Sequence, residues 1–142
     1  MKILRINHLG IAPKAPEQAK SFLGTLLGLQ NAGEEIVADQ KVQVTFFELE
    51  KSRLEILEAT EPSSPVAKFI EDRGGGIQHV ALEVDDLESW LTALKENGVQ
   101  MIDSQPRKGA HNTLIAFVHP RSTGGILVEL VQEMKGIQND KC

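Results

Sequence analysis

Two short phrases put a histidine in the middle of an apolar, strand-like run. They are Ile6-Asn7-His8-Leu9-Gly10-Ile11 and Ile77-Gln78-His79-Val80-Ala81-Leu82, offset by 71 positions. Two glutamates repeat in a similar way, in Leu54-Glu55-Ile56-Leu57 and Val128-Glu129-Leu130-Val131, offset by 74. Two imidazoles and two carboxylates make a donor set for a divalent cation, with the remaining positions open to water or substrate. Taken singly, a strand histidine is more often a hydrogen-bonded structural residue, and a strand glutamate more often faces solvent. The duplication ties the four together. An ionised carboxylate in apolar company is expensive unless it is paired or bound to a metal.

The elements that must position these groups are also written twice. After each histidine strand comes a helical pattern. One runs from about Pro16 to Leu27, with Ala19, Phe22, Leu23 and Leu26 at helical spacing. The other runs from about Leu87 to Asn97, with Leu87, Trp90, Leu91 and Leu94 in the same arrangement, Trp90 being most simply a core residue. Both end at a glycine, Gly28 and Gly98, where a left-handed cap costs least. Three strands then follow in each half: Glu35 to Ala38, Val42 to Leu49 and Arg53 to Glu58, then Gln100 to Asp103, Thr113 to Val118 and Ile126 to Val131.

Each half thus reads β-α-β-β-β over roughly 60–70 residues, too small to be comfortable alone. The expectation is one α+β domain over residues 1–142, made of two tandem βαβββ modules. Module 1 spans about 3–60, a linker helix about 64–74, and module 2 about 77–133. Paired, the modules would form an open, concave mixed β-sheet with the helices outside. Strand alternation then turns Glu55 and Glu129 away from their apolar neighbours, toward the concave side with the histidines. Between the modules, Gly74-Gly75-Gly76 is a hinge-like stop.

Composition narrows the class. With 41% hydrophobic and 25% charged residues the 142-residue chain is globular in character. It has no apolar run near the ~18 residues of a spanning helix. Its first residues carry no apolar block followed by small residues, so no secretory signal is expected. The single cysteine is Cys142, which allows no internal disulfide and fits a reducing, cytoplasmic setting. A net charge of −5 argues against a nucleic-acid partner.

From Ile6 to about Gln132 the chain resembles the vicinal oxygen chelate superfamily, which includes glyoxalase I, extradiol dioxygenases and bleomycin-resistance proteins. Within it the likeness is to the methylmalonyl-CoA epimerase branch. The segments that carry it are His8-Leu9-Gly10-Ile11-Ala12, Leu54-Glu55-Ile56-Leu57-Glu58, Ser64-Pro65-Val66-Ala67-Lys68-Phe69 and Gly76-Ile77-Gln78-His79-Val80-Ala81. Two loops are the most specific: Gly109-Ala110-His111-Asn112 and His119-Pro120-Arg121-Ser122-Thr123-Gly124-Gly125.

The resemblance implies that His8, His79 and Glu129 are metal ligands, with Glu55 at a fourth position that holds glutamine in some family members. It implies one divalent ion, cobalt or manganese first, then nickel, zinc or magnesium. It also implies an acyl-CoA substrate and a homodimer. Such enzymes interconvert the (R) and (S) forms of methylmalonyl-CoA by 1,1-proton transfer. Removing a proton alpha to a thioester builds charge on the carbonyl oxygen, and a Lewis acid stabilises that enolate. Inversion needs a proton carrier on each face of the carbon. Glu129 is one. The family's other carboxylate lies in a stretch that reads Ala38-Asp39-Gln40-Lys41-Val42 here, which makes Asp39 the second base, one methylene shorter than the family's residue. Lys41 replaces a glycine and Asn112 stands where glycine is frequent, though Asn tolerates left-handed geometry. Glu48 and Glu35 are weaker alternatives to Asp39.

Gln40, Lys108, His111, Arg121, Ser122 and Thr123 are the candidates for holding the substrate carboxylate or the CoA phosphates. Arg107, Lys108 and Arg121 read equally well as solvated loop charges. His111 and His119 lack counterparts in the first half. Two other functions share this skeleton: a glyoxalase I-like lyase or isomerase on another thioester or hemithioacetal, and a metal-free binding protein. The second usually loses the ligand set, and all four positions are filled here. An extradiol dioxygenase would use two histidines and one carboxylate, which leaves Glu55 without a role.

Overall fold

Val, Ile and Phe at alternating positions produce eight strands, and the computed structural model describes them and the rest of residues 1–134. Cys142 lies outside the described residues. The elements are β1 (Ile3–Ala12), α1 (Pro16–Lys20), β2 (Gln30–Val37), β3 (Val42–Glu48), β4 (Arg53–Ala59), α2 (Pro65–Arg73), β5 (Gly76–Val84), α3 (Leu87–Glu96), β6 (Arg107–Gly109), β7 (Thr113–Val118) and β8 (Val128–Glu133). The order is β-α-β-β-β twice with a helix between, and the sheet is mixed, as expected of the α+β class.

The described residues divide into two compact units: residues 6–81, and residues 1–5 with 82–134. In the first, strands lie in the order β2-β3-β4-β1-β5, with β1 parallel to β4 and β2, β3 and β4 an antiparallel meander. The register of β1 on β4 sets His8 beside Arg53 and Gly10 beside Glu55. Phe46, Phe47, Ile56, Leu57 and Val66 are buried in this unit. In the second, β5, β8, β7 and β6 are successive neighbours. Val84, Leu87, Leu91, Ala116, Val118 and Leu130 form its core, and Trp90 packs against it, as expected. No helix among the described residues is long and apolar enough to cross a membrane.

The first helix departs from its expected face. After Lys20 the chain widens into a π-helical stretch over Ser21–Leu26, with Leu27 N–H donating to the Phe22 carbonyl at 2.9 Å. Five-residue spacing rotates successive side chains away from an α-helical stripe. Phe22 and Leu26 are therefore 51% and 73% exposed instead of packed. Gly28 and Gly98, at the helix ends, do adopt the expected left-handed backbone, with φ of 76° and 77°.

The expected strand at Gln100–Asp103 is reduced to a single bridge between Met101 and Val118. The Asp103 carboxylate is the reason. Its Oδ2 accepts the Phe117 N–H at 2.8 Å, taking the place of a ladder carbonyl, and Oδ1 pairs with Arg107 Nε at 3.1 Å. The edge strand is instead β6, antiparallel to β7 with Arg107 opposite Ile115.

Helix α2 begins as its sequence demands. Ser64 is fully buried, its Oγ accepts the Val66 N–H at 3.1 Å, and Pro65 occupies the first turn, where an N–H would have no partner. Ser64→Ala is expected to cost about 1–2 kcal/mol. Urea unfolding should show a lower midpoint with an unchanged slope.

Candidate functional site

Three of the four repeated residues lie in one unit and are brought together. His8 on β1, Glu55 on β4 and His79 on β5 are 6%, 4% and 6% exposed. The two imidazoles meet edge to face, with ring planes at 86° and Nε2 atoms 3.0 Å apart. Each ring turns its other nitrogen to the side-chain amide of the preceding residue. His8 Nδ1 lies 2.7 Å from Asn7 Oδ1, and His79 Nδ1 lies 2.7 Å from Gln78 Oε1. An amide oxygen can only accept, so in the tautomer that satisfies these contacts Nδ1 donates and a neutral ring keeps its lone pair on Nε2. Two lone pairs facing each other at this distance repel. A cation bound to both removes that repulsion. The donor chemistry fits a divalent metal.

Glu55 is held by positive and hydrogen-bonding neighbours. Its Oε2 lies 3.3 Å from Arg53 Nε and 3.3 Å from His8 Nδ1. Arg53 also donates from Nη2 to Asn7 Oδ1 at 3.2 Å. Side chains of adjacent strand residues ordinarily point to opposite faces. The reach of Asn7 and Gln78 back to their own histidines is therefore not something the strand pattern announces.

Gly10 is a site residue that carried no sequence assignment. A Cβ built there would lie 2.0 Å from His79 Cε1, 2.3 Å from Nδ1 and 2.6 Å from Nε2. The His79 ring rests where a side chain of residue 10 would be. A glycine inside a strand often marks such a close approach, and that was the available signal.

The fourth residue, Glu129, lies on β8 in the other unit, 4% exposed, opposite Phe117 of β7. Asp39 and Gln40 occupy the 3-10 turn between β2 and β3, with Asp39 exposed. Lys41, which closes that turn, takes the left-handed conformation (φ 55°) that favours glycine, and its Nζ donates to Ser63 Oγ at 2.9 Å. Among the loop candidates, Lys108, His111 and Arg121 are exposed. His111 and Asn112 form a left-handed turn with φ of 58° and 55°, so the asparagine accepts the geometry as expected. Ser122 and Thr123 hold their own loop. Ser122 Oγ accepts the Gln100 N–H at 2.8 Å, and Thr123 Oγ1 accepts the Ile126 N–H at 3.1 Å. His119 Nδ1 accepts the Arg121 N–H at 3.0 Å, a capping role.

The chain belongs to the glyoxalase/bleomycin resistance protein/dioxygenase superfamily, whose family model matches residues 7–117. It is 42% identical to the uncharacterized protein YqjC of Bacillus subtilis, over 96% of this chain and 97% of that one. It is 35% identical to the ethylmalonyl-CoA/methylmalonyl-CoA epimerase of Cereibacter sphaeroides, over 90% of this chain and 97% of the relative. Among solved structures, a methylmalonyl-CoA epimerase in complex with methylmalonyl-CoA and NH4+ superposes with a TM-score of 0.88 at 28% identity, covering 93% of this chain and 96% of the other.

Proposed function

We propose that this protein is a metal-dependent epimerase that interconverts the (R) and (S) forms of methylmalonyl-CoA. The observation that carries the reading is the facing pair of histidine Nε2 atoms, each with its Nδ1 committed to an amide oxygen. Epimerases among the relatives support the substrate class. His8, His79 and Glu129 are the donors that would hold the ion in this reading. Glu55 takes the fourth position in this reading. A divalent ion held there, cobalt or manganese first, would supply Lewis-acid polarisation of the thioester carbonyl.

The chain's own residues move the proton. Glu129 removes it from the alpha carbon on one face, and Asp39 returns one from the other, so the product differs from the substrate only in configuration. In this reading Lys108, His111 and Arg121 would attract the carboxylate and phosphates of the substrate, with Gln40, Ser122 and Thr123 completing the contacts. A homodimer goes with this reading.

In deuterated buffer, the protein loaded with Co2+ should wash deuterium into the alpha carbon of methylmalonyl-CoA, and the chelator-treated protein should not. Proton NMR of the substrate reads the result. Exchange that is absent with and without metal would overturn the proposal.

A further inference from the structure

Whether His8 can hold a metal depends on which ring nitrogen carries its proton, and the surroundings of residue 53 decide that. Every polar hydrogen of a guanidinium is a donor, and it has no acceptor. The Asn7 atom 3.2 Å from Arg53 Nη2 is therefore the amide oxygen and not the nitrogen. An oxygen without hydrogen leaves His8 Nδ1, 2.7 Å away, as the donor. A neutral ring has one proton, so Nε2 holds the lone pair.

The same guanidinium reaches Glu55 with a second, separate N–H, from Nε to Oε2 at 3.3 Å. Its side chain is 13% exposed, and its carbon centre lies 5.8 Å above the Phe46 ring, which fixes the plane of the fork. We propose that Arg53 is a positioning residue for the metal site. It locks the Asn7 amide, and through it the tautomer of His8, while its Nε holds the Glu55 carboxylate beside that ring.

Without the fork, the Asn7 amide is free to rotate and present its NH2 to His8 Nδ1. The ring proton then moves to Nε2, and the nitrogen that faces His79 ceases to be a donor atom for a metal. A lysine keeps the charge but offers a point of contact where the fork offers two directed ones. The metal consequence rests on the functional reading above. The tautomer does not.

Nitrogen-15 NMR of the metal-free protein, at a pH where both rings are neutral, reads the tautomer directly. Wild-type His8 is expected in the Nδ1–H form. In Arg53→Met an Nε2–H population should appear, and Co2+ affinity by calorimetry should fall about 10- to 100-fold, the usual effect of losing a group that orients a ligand. Arg53→Lys should fall between. A wild-type His8 in the Nε2–H form overturns the proposal without any variant. So does an Arg53→Met protein whose tautomer and Co2+ affinity match the wild type. Failure of the metal reading looks different: wild-type protein that takes up no Co2+ while His8 shows the expected tautomer.

Discussion

Gly10→Ala should lower divalent-metal affinity by at least about 100-fold while the protein remains folded. The affinity term follows from a steric conflict that cannot be shared out. The new methyl would sit 2.0 Å from His79 Cε1, inside any van der Waals contact, and the ring is only 6% exposed. The ring must leave its place beside His8 Nε2, which removes one donor outright, a larger loss than the 10- to 100-fold seen when only an orienting partner is lost. Stability should change less. Gly10 is not among the positive-φ glycines, so its backbone suits alanine, and alanine restricts the unfolded chain, worth about 0.4–1 kcal/mol. Against that stands overpacking of about 1–3 kcal/mol. The equivalent position in the second half is Ala81, fully buried, so the repeat accepts a methyl there. Calorimetry with Co2+, beside thermal unfolding, separates the two effects. Unchanged affinity in a folded Gly10→Ala protein would show that His79 is not a ligand.

What could be read from the chain was whatever the duplication repeated. The echo of His8 at His79, and of Glu55 at Glu129, marked four polar residues, and all four are buried. The helix-ending glycines and the order of elements follow from local chemistry and were legible for the same reason. The residues that make the histidines usable were not. Asn7 and Gln78 stood in the quoted phrases, but strand alternation assigns them to the opposite face. Their hydrogen bonds to Nδ1 depend on side-chain conformation that no periodicity encodes. Arg53 acts across strands, through the parallel register that sets it beside His8. The π-helical stretch at Ser21–Leu26 and the Asp103 carboxylate that interrupts the ladder are likewise tertiary choices, invisible to a count of apolar positions.

The largest kinetic effect expected is for Asp39→Asn, which should slow epimerisation about 100- to 10,000-fold, the range lost with a general acid–base group. Its diagnostic value lies in what it should leave intact. A two-base site that loses one carrier can still remove a proton on the other face and return deuterium from solvent to that same face. One epimer of methylmalonyl-CoA should then exchange its alpha proton without inverting, and the other should be inert. Glu129→Gln should reverse the preference where metal is retained, because the surviving carrier is on the opposite side. Asp39 is exposed, and an aspartate carboxylate reaches one methylene less far than a glutamate's. Asp39→Glu should therefore keep or raise the rate, since near-attack geometry is sensitive to differences of an ångström. Chiral analysis of the recovered thioester, with deuterium content by mass spectrometry, distinguishes these outcomes. Asp39→Asn protein that inverts both epimers at the wild-type rate would remove Asp39 from the mechanism and leave the ligand set to be judged on metal binding alone.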